Sequence, residues 1–188
     1  MAVKTMSANS GGNGKFTDGW HEVTITSAVY GVYQANDTDK KYITLNFDGY
    51  PEKMDLRIYE VFNQKTNEEF KISNLFKYAN AGIIAVLQDP TGKKPVIQYD
   101  DEAENLVGKT VHILLYKEQK TGNGYTRMFD SVAPVEQEGE HLSYTAEQVT
   151  AIQSGIEKNL EKMLSKNNEY ATTTVEATSN MTSDTISF

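Results

Sequence analysis

Aromatic and cationic side chains recur at alternate positions in the strand-like runs of this sequence, and that spacing raises the first chemical question. Tyr42 stands in "KYITLNF", Arg57 and Tyr59 in "MDLRIYEVF", and Tyr116, Tyr125 and Arg127 in the two runs that flank "TGNG". Successive side chains of a strand point to opposite faces, so residues two apart share a face. Ile43, Leu45 and Phe47 then oppose Tyr42, while Leu56 and Ile58 oppose Arg57 and Tyr59. A sheet face carrying rings and guanidinium groups can stack unpaired bases, worth about 1–3 kcal/mol per base, while its cations track phosphate. Lys40, Lys41, Lys117 and Lys120 are expected at the turns that would rim such a groove. Tyr and Phe favour strands whatever their function, and Phe129 fits a core position better than a surface one.

Catalysis finds no comparable footing. Cysteine is absent, which removes thiolate chemistry, thiolate metal sites and disulfides. His21, His112 and His141 are far apart in sequence, and His112 is expected to face out of a strand without a partner. The acidic run Asp100–Glu104 lacks the alternating ligands and central glycine of a calcium loop and reads as a solvated loop. "GGNG" near the N-terminus has neither the preceding strand nor the following Lys-Ser/Thr of a phosphate loop. No catalytic residue, metal or cofactor is therefore expected. Two other classes stay open: a protein-interaction module that binds no nucleic acid, and a magnesium-dependent nuclease accessory using Asp55, Asp100 and Asp101.

The net charge of −8 is unevenly spread. Residues 1–135 hold 15 Lys+Arg and 17 Asp+Glu, and residues 136–188 hold 3 and 9. The body is thus nearly neutral, and binding of a polyanion depends on the local field, not on the total. No apolar run approaches the roughly 18–20 residues that span a bilayer, and the N-terminus has no hydrophobic core of a signal peptide. A cytoplasmic location without membrane attachment is expected.

The elements that must position these residues can be read in order. Residues 1–15, rich in Ser, Gly and Asn, form a flexible arm. Residues 16–135 form the folded domain. "WHEVTITSAVYGVY" alternates, with Gly31 marking a bulge or bend. "ANDTDK" and "DGYPE" are turns around "KYITLNF", and "MDLRIYEVF" follows. The period then becomes helical over 73–88, with Ser73 or Asn74 as N-cap and Gly82 as a mild defect. Two more strands, joined through Asn123-Gly124, make a hairpin. Three strands, a helix and two strands suit a five-stranded OB-type barrel, mainly β, with the helix between strands 3 and 4. A small split α+β sheet gives the same order.

Residues 136–167 supply a linker and an amphipathic helix. Thr145 and Gln148 have capping-box spacing, and Ala146, Val149, Ile152, Ile156, Leu160 and Met163 make a stripe that would pack on the barrel or on a second copy in a homo-oligomer. Residues 168–188 read as a disordered tail ending in an apolar hook, Ile186 and Phe188.

The layout "GWHEVTITSAVYGVY…KKYITLNF…MDLRIYEVF…LVGKTVHILLYKEQKTGNGYTRMFDSVAP" resembles the small OB-fold single-stranded DNA-binding proteins of phage replication and recombination gene sets, over residues 18 to 135. The shared features are a Gly-aromatic opening at Gly19-Trp20, Gly108-Lys109 before the fourth strand, and an aromatic hairpin leading to Pro134. The resemblance implies sequence-tolerant binding of single-stranded DNA through the residues named above. The C-terminus is similar to the phenylalanine-ended tails by which single-strand binders reach replication or recombination proteins. It departs from them in charge, since only Asp184 is acidic in the last twelve residues.

Overall fold

Alternation decides the first part of the fold. The computed structural model describes residues 16–35, 38–88, 95–118 and 125–179. The first three expected strands form β1 (Gly19–Ala35), β2 (Thr38–Phe47) and β3 (Leu56–Tyr59), an antiparallel meander. Val23, Ile25, Ile43, Leu45, Phe47, Leu56 and Ile58 are all buried, as their phase in the strands requires. The arm 1–15, Lys120, the Thr121–Gly124 turn, and Ile186 and Phe188 lie outside the described residues.

β1 serves two partners. Gly19–Thr24 pairs with β6 (Thr110–Glu118), and Ile25–Ala35 pairs with β2, with a bulge between Ile25 and Ser27. A bulge bends a strand and increases its twist, which lets one strand leave one neighbour and join another. β6 pairs with β7 (Tyr125–Ala133), so the sheet order is β3-β2-β1-β6-β7. The fold is mainly β and antiparallel. The expected barrel is not closed by a ladder. β3 and β7 are free edges among the described residues, although their Cα atoms come within 8 Å. β3, four residues long, has few backbone groups to offer such a ladder.

The chain between β3 and β6 departs furthest from expectation. In place of one helix over 73–88 it forms α1 (Lys71–Tyr78) and then a strand, β4 (Ile83–Leu87). Asn80 (φ +49°) and Gly82 (φ +61°) take left-handed conformations that stop the helix. A Cβ on Gly82 would lie 2.2 Å from the Asp100 carbonyl oxygen, so the close approach needs glycine. Beyond that break Ile83, Ile84 and Val86 follow their β-branched preference. β4 pairs with an unanticipated strand, β5 (Val96–Tyr99), in a separate two-stranded sheet. Among the described residues the fold therefore has seven strands where five were expected.

Neither Ser73 nor Asn74 caps α1. The Glu69 carboxylate does, accepting from the backbone N–H of Lys71, Ile72 and Ser73 at 2.8, 2.9 and 2.8 Å, and from the Ser73 hydroxyl at 2.7 Å. It thereby satisfies donors that have no partner inside the helix. Ile72, Leu75 and Phe76 turn inward to the core that also holds Leu106, Val111, Ile113 and Leu115.

Residues 136–145, expected as a linker, are tied to α1. Tyr144 Oη donates to the Lys77 carbonyl at 3.1 Å, and Asn80 Nδ2 donates to that of Leu142 at 3.1 Å. Gln137 and Tyr144 bridge across the loop. Thr145 and Gln148 make the expected capping box: the Thr145 N–H donates to Gln148 Oε1 at 2.9 Å, and the Gln148 N–H to Thr145 Oγ1 at 3.4 Å.

The chain divides into two compact units, residues 1–149 and 150–188. Helix α2 (Ala146–Ser179) makes up the described part of the second. It continues past residue 167 to Ser179, into the stretch expected as a disordered tail. "NEYATTTVEATS" holds no glycine or proline, and threonine lowers helix stability by only about 0.7 kcal/mol or less per residue.

Candidate nucleic-acid interface

The β1–β2–β3 register sets Gly31, Tyr42 and Tyr59 in one row and Val29, Thr44 and Arg57 in the next. Residues directly across from one another share a face, so Tyr42, Arg57 and Tyr59 stand together on the side opposite Ile43, Leu45, Leu56 and Ile58. Their rings meet. Tyr42 and Tyr59 have centroids 5.3 Å apart at 45°. The Arg57 guanidinium carbon lies 5.8 Å from the Tyr42 centroid, within cation–π range.

Two further residues complete this group. Tyr33 sets its ring edge-on to Tyr59 at 6.4 Å. Gly31 makes room for Tyr42, since a Cβ there would lie 2.4 Å from the ring's Cζ. Sequence reasoning missed both. "VYGVY" offers an aromatic to each face of the strand, and only the register with β2 shows that Tyr33 shares the face of Tyr42.

The lysines fall differently from expectation. Lys40 and Lys41 lie within β2, not at a turn, because the β1–β2 ladder continues to the Ala35–Thr38 pair. Lys40 pairs with Tyr33 and shares the ring face. Lys41 points the other way and lines a cavity of about 440 Å³ with Tyr30, Phe62, Glu69, Tyr99 and Asp101. Burial, with Asp101 next in effect, raises the Tyr30 hydroxyl well above the usual tyrosine range. Tyr99 is raised too, chiefly by burial, and its hydroxyl bonds Ser73 at 2.9 Å.

The second group lies on β6 and β7, where Tyr116 pairs with Arg127, Lys117 with Thr126 and Glu118 with Tyr125. Tyr125 and Lys117 are exposed. Tyr116 is half-buried and packs edge-on to Phe129 at 6.4 Å; Phe129 is only 8% exposed, a core residue as expected. Burial raises the Tyr116 hydroxyl above its ordinary value, Glu118 adds to this and Arg127 opposes it.

Both arginines have acidic partners. Arg57 Nε donates to Asp55 Oδ2 at 3.0 Å, which strengthens its protonation. Arg127 is ion-paired with Glu118. In both pairs the arginine is exposed and the carboxylate is partly buried.

The remaining polar residues are dispersed. His112, expected without a partner, has two: Nδ1 bonds the Pro134 carbonyl at 2.8 Å and Nε2 lies 3.8 Å from Glu22. His21 bonds the Thr17 carbonyl at 2.7 Å. Asp55 is engaged with Arg57, and Asp100 Oδ1 accepts from the Glu102 N–H at 3.1 Å. Among the described residues no three His, Asp or Glu side chains gather as metal ligands, and no helix is long and apolar enough to cross a membrane.

In sequence the chain matches no protein-family model and no curated protein.

Proposed function

We propose that the β-rich body is a partly open OB-type barrel that binds single-stranded DNA with little sequence preference, in phage replication or recombination. Support for the barrel is the order β3-β2-β1-β6-β7, with α1 after β3 and the two edge strands near one another. OB folds bind oligonucleotides on the face of strands 2 and 3 and the loops beside it. The observation that carries the proposal is the file Tyr33, Tyr59, Tyr42 and Arg57 across that face. Rings accept any base, and Arg57 with Lys40 offers charge to the backbone between them.

The direct test is titration of labelled oligo-dT and of duplex of equal length, at several salt concentrations. Tighter, salt-dependent binding of the single strand is expected; equal affinity for both ends the proposal. The alternative, a protein-interaction module, is favoured by the carboxylate partners of Arg57 and Arg127, which lower the local positive field. Its mark is the absence of any salt-sensitive oligonucleotide binding. In either reading Ile186 and Phe188 are proposed as the hook for a replication or recombination protein in the cytoplasm.

A further inference from the structure

β1 leaves part of one edge open. Gly19–Thr24 is flanked by β6, and Ile25 still exchanges backbone hydrogen bonds with Gly108 and Lys109, at 2.8 and 2.9 Å. Beyond that point Ser27–Ala35 is paired with β2 on one side, and among the described residues no strand pairs with the other. Such an edge presents unpaired N–H and C=O groups that template another strand, and proteins guard edges with charge, proline or short length. The stretch Ile25–Ala35, "ITSAVYGVYQA", contains neither a charge nor a proline. The other edges of the same sheet do carry charge, Arg57 on β3 and Arg127 and Asp130 on β7. Val29, Val32 and Tyr33 are 60%, 59% and 52% exposed.

The order of these residues says which strand fits. The stretch is self-complementary about Gly31: run antiparallel against itself, Val29 meets Tyr33, Tyr30 meets Val32, and Ala28 meets Gln34. Each aromatic faces a β-branched residue, a favoured cross-strand pair, and no like charges oppose. Gly31 meets Gly31, so β1 itself puts no side chain at the centre, and the Tyr42 ring lies over each glycine.

We propose that two copies of this chain pair antiparallel through Val29–Tyr33 of β1, with Gly31 on the two-fold axis. The contact is isologous and closes on itself. It makes one continuous sheet, β3-β2-β1-β1-β2-β3. A two-fold axis perpendicular to the sheet leaves Tyr33, Tyr42, Arg57 and Tyr59 of both copies on the same side. The proposal goes beyond the nucleic-acid reading and stands without it.

The test is sedimentation velocity of the full chain without nucleic acid, over a hundredfold range of concentration. A monomer–dimer equilibrium is expected. Val32→Lys, at an exposed position facing away from the ring file, should keep the circular dichroism spectrum and raise the dimer dissociation constant about tenfold or more, since a charge on an edge blocks pairing. Register is tested separately, because the chain has no native cysteine. An oxidised mixture of Tyr30→Cys and Val32→Cys proteins should form a mixed disulfide in preference to either symmetric one. A monomer at every concentration overturns the proposal. So does a dimer indifferent to Val32→Lys, or one that forms symmetric disulfides as readily as mixed ones. Loss of oligo-dT binding with the dimer intact would count against the proposed function and leave this contact standing.

Discussion

On β2 and β3, Tyr42 and Tyr59 lean on one another above Gly31, with Arg57 against the first ring. On β6 and β7, Tyr116 leans on Phe129, which is itself buried, and Arg127 turns to Glu118. The two patches have the same residue types at the same alternating spacing. They differ in what lies beside the ring on its own face. A glycine opposite Tyr42 lets the ring spread over the sheet surface, against Tyr59 and Arg57. A second aromatic beside Tyr116 draws that ring toward the core. Ring contacts are set by the neighbours on the same face, straight across for Tyr42 and diagonal for Tyr116, which alternation alone does not reveal.

The largest effect that would break this comparison comes from the rings. Tyr42→Ala and Tyr59→Ala should each weaken oligo-dT binding by about 1–3 kcal/mol, about fivefold to a hundredfold, without altering its salt dependence. Tyr116→Ala should change affinity by less than about threefold, because that ring supplies packing in place of a stacking face. Equal losses at the two patches, measured by fluorescence titration, would show that the distinction is wrong.

Gly31→Val sharpens the comparison from the other side of the ladder. The added side chain meets the Tyr42 ring, so affinity should fall toward that of Tyr42→Ala, with stability lowered by about 1–3 kcal/mol from overpacking. In a Tyr42→Ala background the same change should be nearly silent. Additive losses in that double-mutant cycle would mean that Gly31 does not act through Tyr42.

A smaller effect separates the arginines. Arg57→Ala should lower the slope of log K against log salt by about 0.7, the value for one released phosphate counterion on a single strand. Asp55→Asn, which frees Arg57 from its carboxylate, should raise affinity at low salt. If Arg127→Ala changes the slope more than Arg57→Ala, the strand crosses β7 and the two patches exchange roles.

The smallest expected effect is on stability at high pH. Burial raises the hydroxyl pKa values of Tyr116, Tyr78 and Tyr99 in the folded chain. Below the unfolded value of about 10 both states keep the proton and the stability is intact. As pH rises through that value the unfolded chain ionises first, so stability falls. Tyr116→Phe should remove part of the slope, read from denaturant midpoints on either side of that pH.

The sequence displayed the meander well because strict alternation at Ile43, Leu45, Leu56 and Ile58 leaves one choice of buried face. It displayed Tyr42, Arg57 and Tyr59 for the same reason. It did not display β4 and β5. Ile83, Val86 and Leu87 fit a helical stripe as readily as a short strand, and the stop at Asn80 and Gly82 depends on where Asp100 comes to lie. It hid Tyr33 because two tyrosines flank Gly31 on opposite faces. It misplaced the α1 cap because the helix starts two residues earlier than the stripe suggests, and the cap is a Glu carboxylate just before the N-cap Phe70 where Ser or Asn is the usual choice.

The division of β1 between β2 and β6 also dictates an order of assembly. The β1–β2–β3 contacts join neighbours in the chain, whereas Thr24 reaches Thr110 across 86 positions. Closing so long a loop is entropically slow, and the reward comes only once the near strands exist. The ring-bearing meander should therefore be structured in the folding transition state and β6–β7 should dock afterwards. Leu45→Ala should mainly slow refolding and Ile113→Ala should mainly speed unfolding, as chevron plots would record. A nascent chain would then display its proposed stacking face before its second half had left the ribosome.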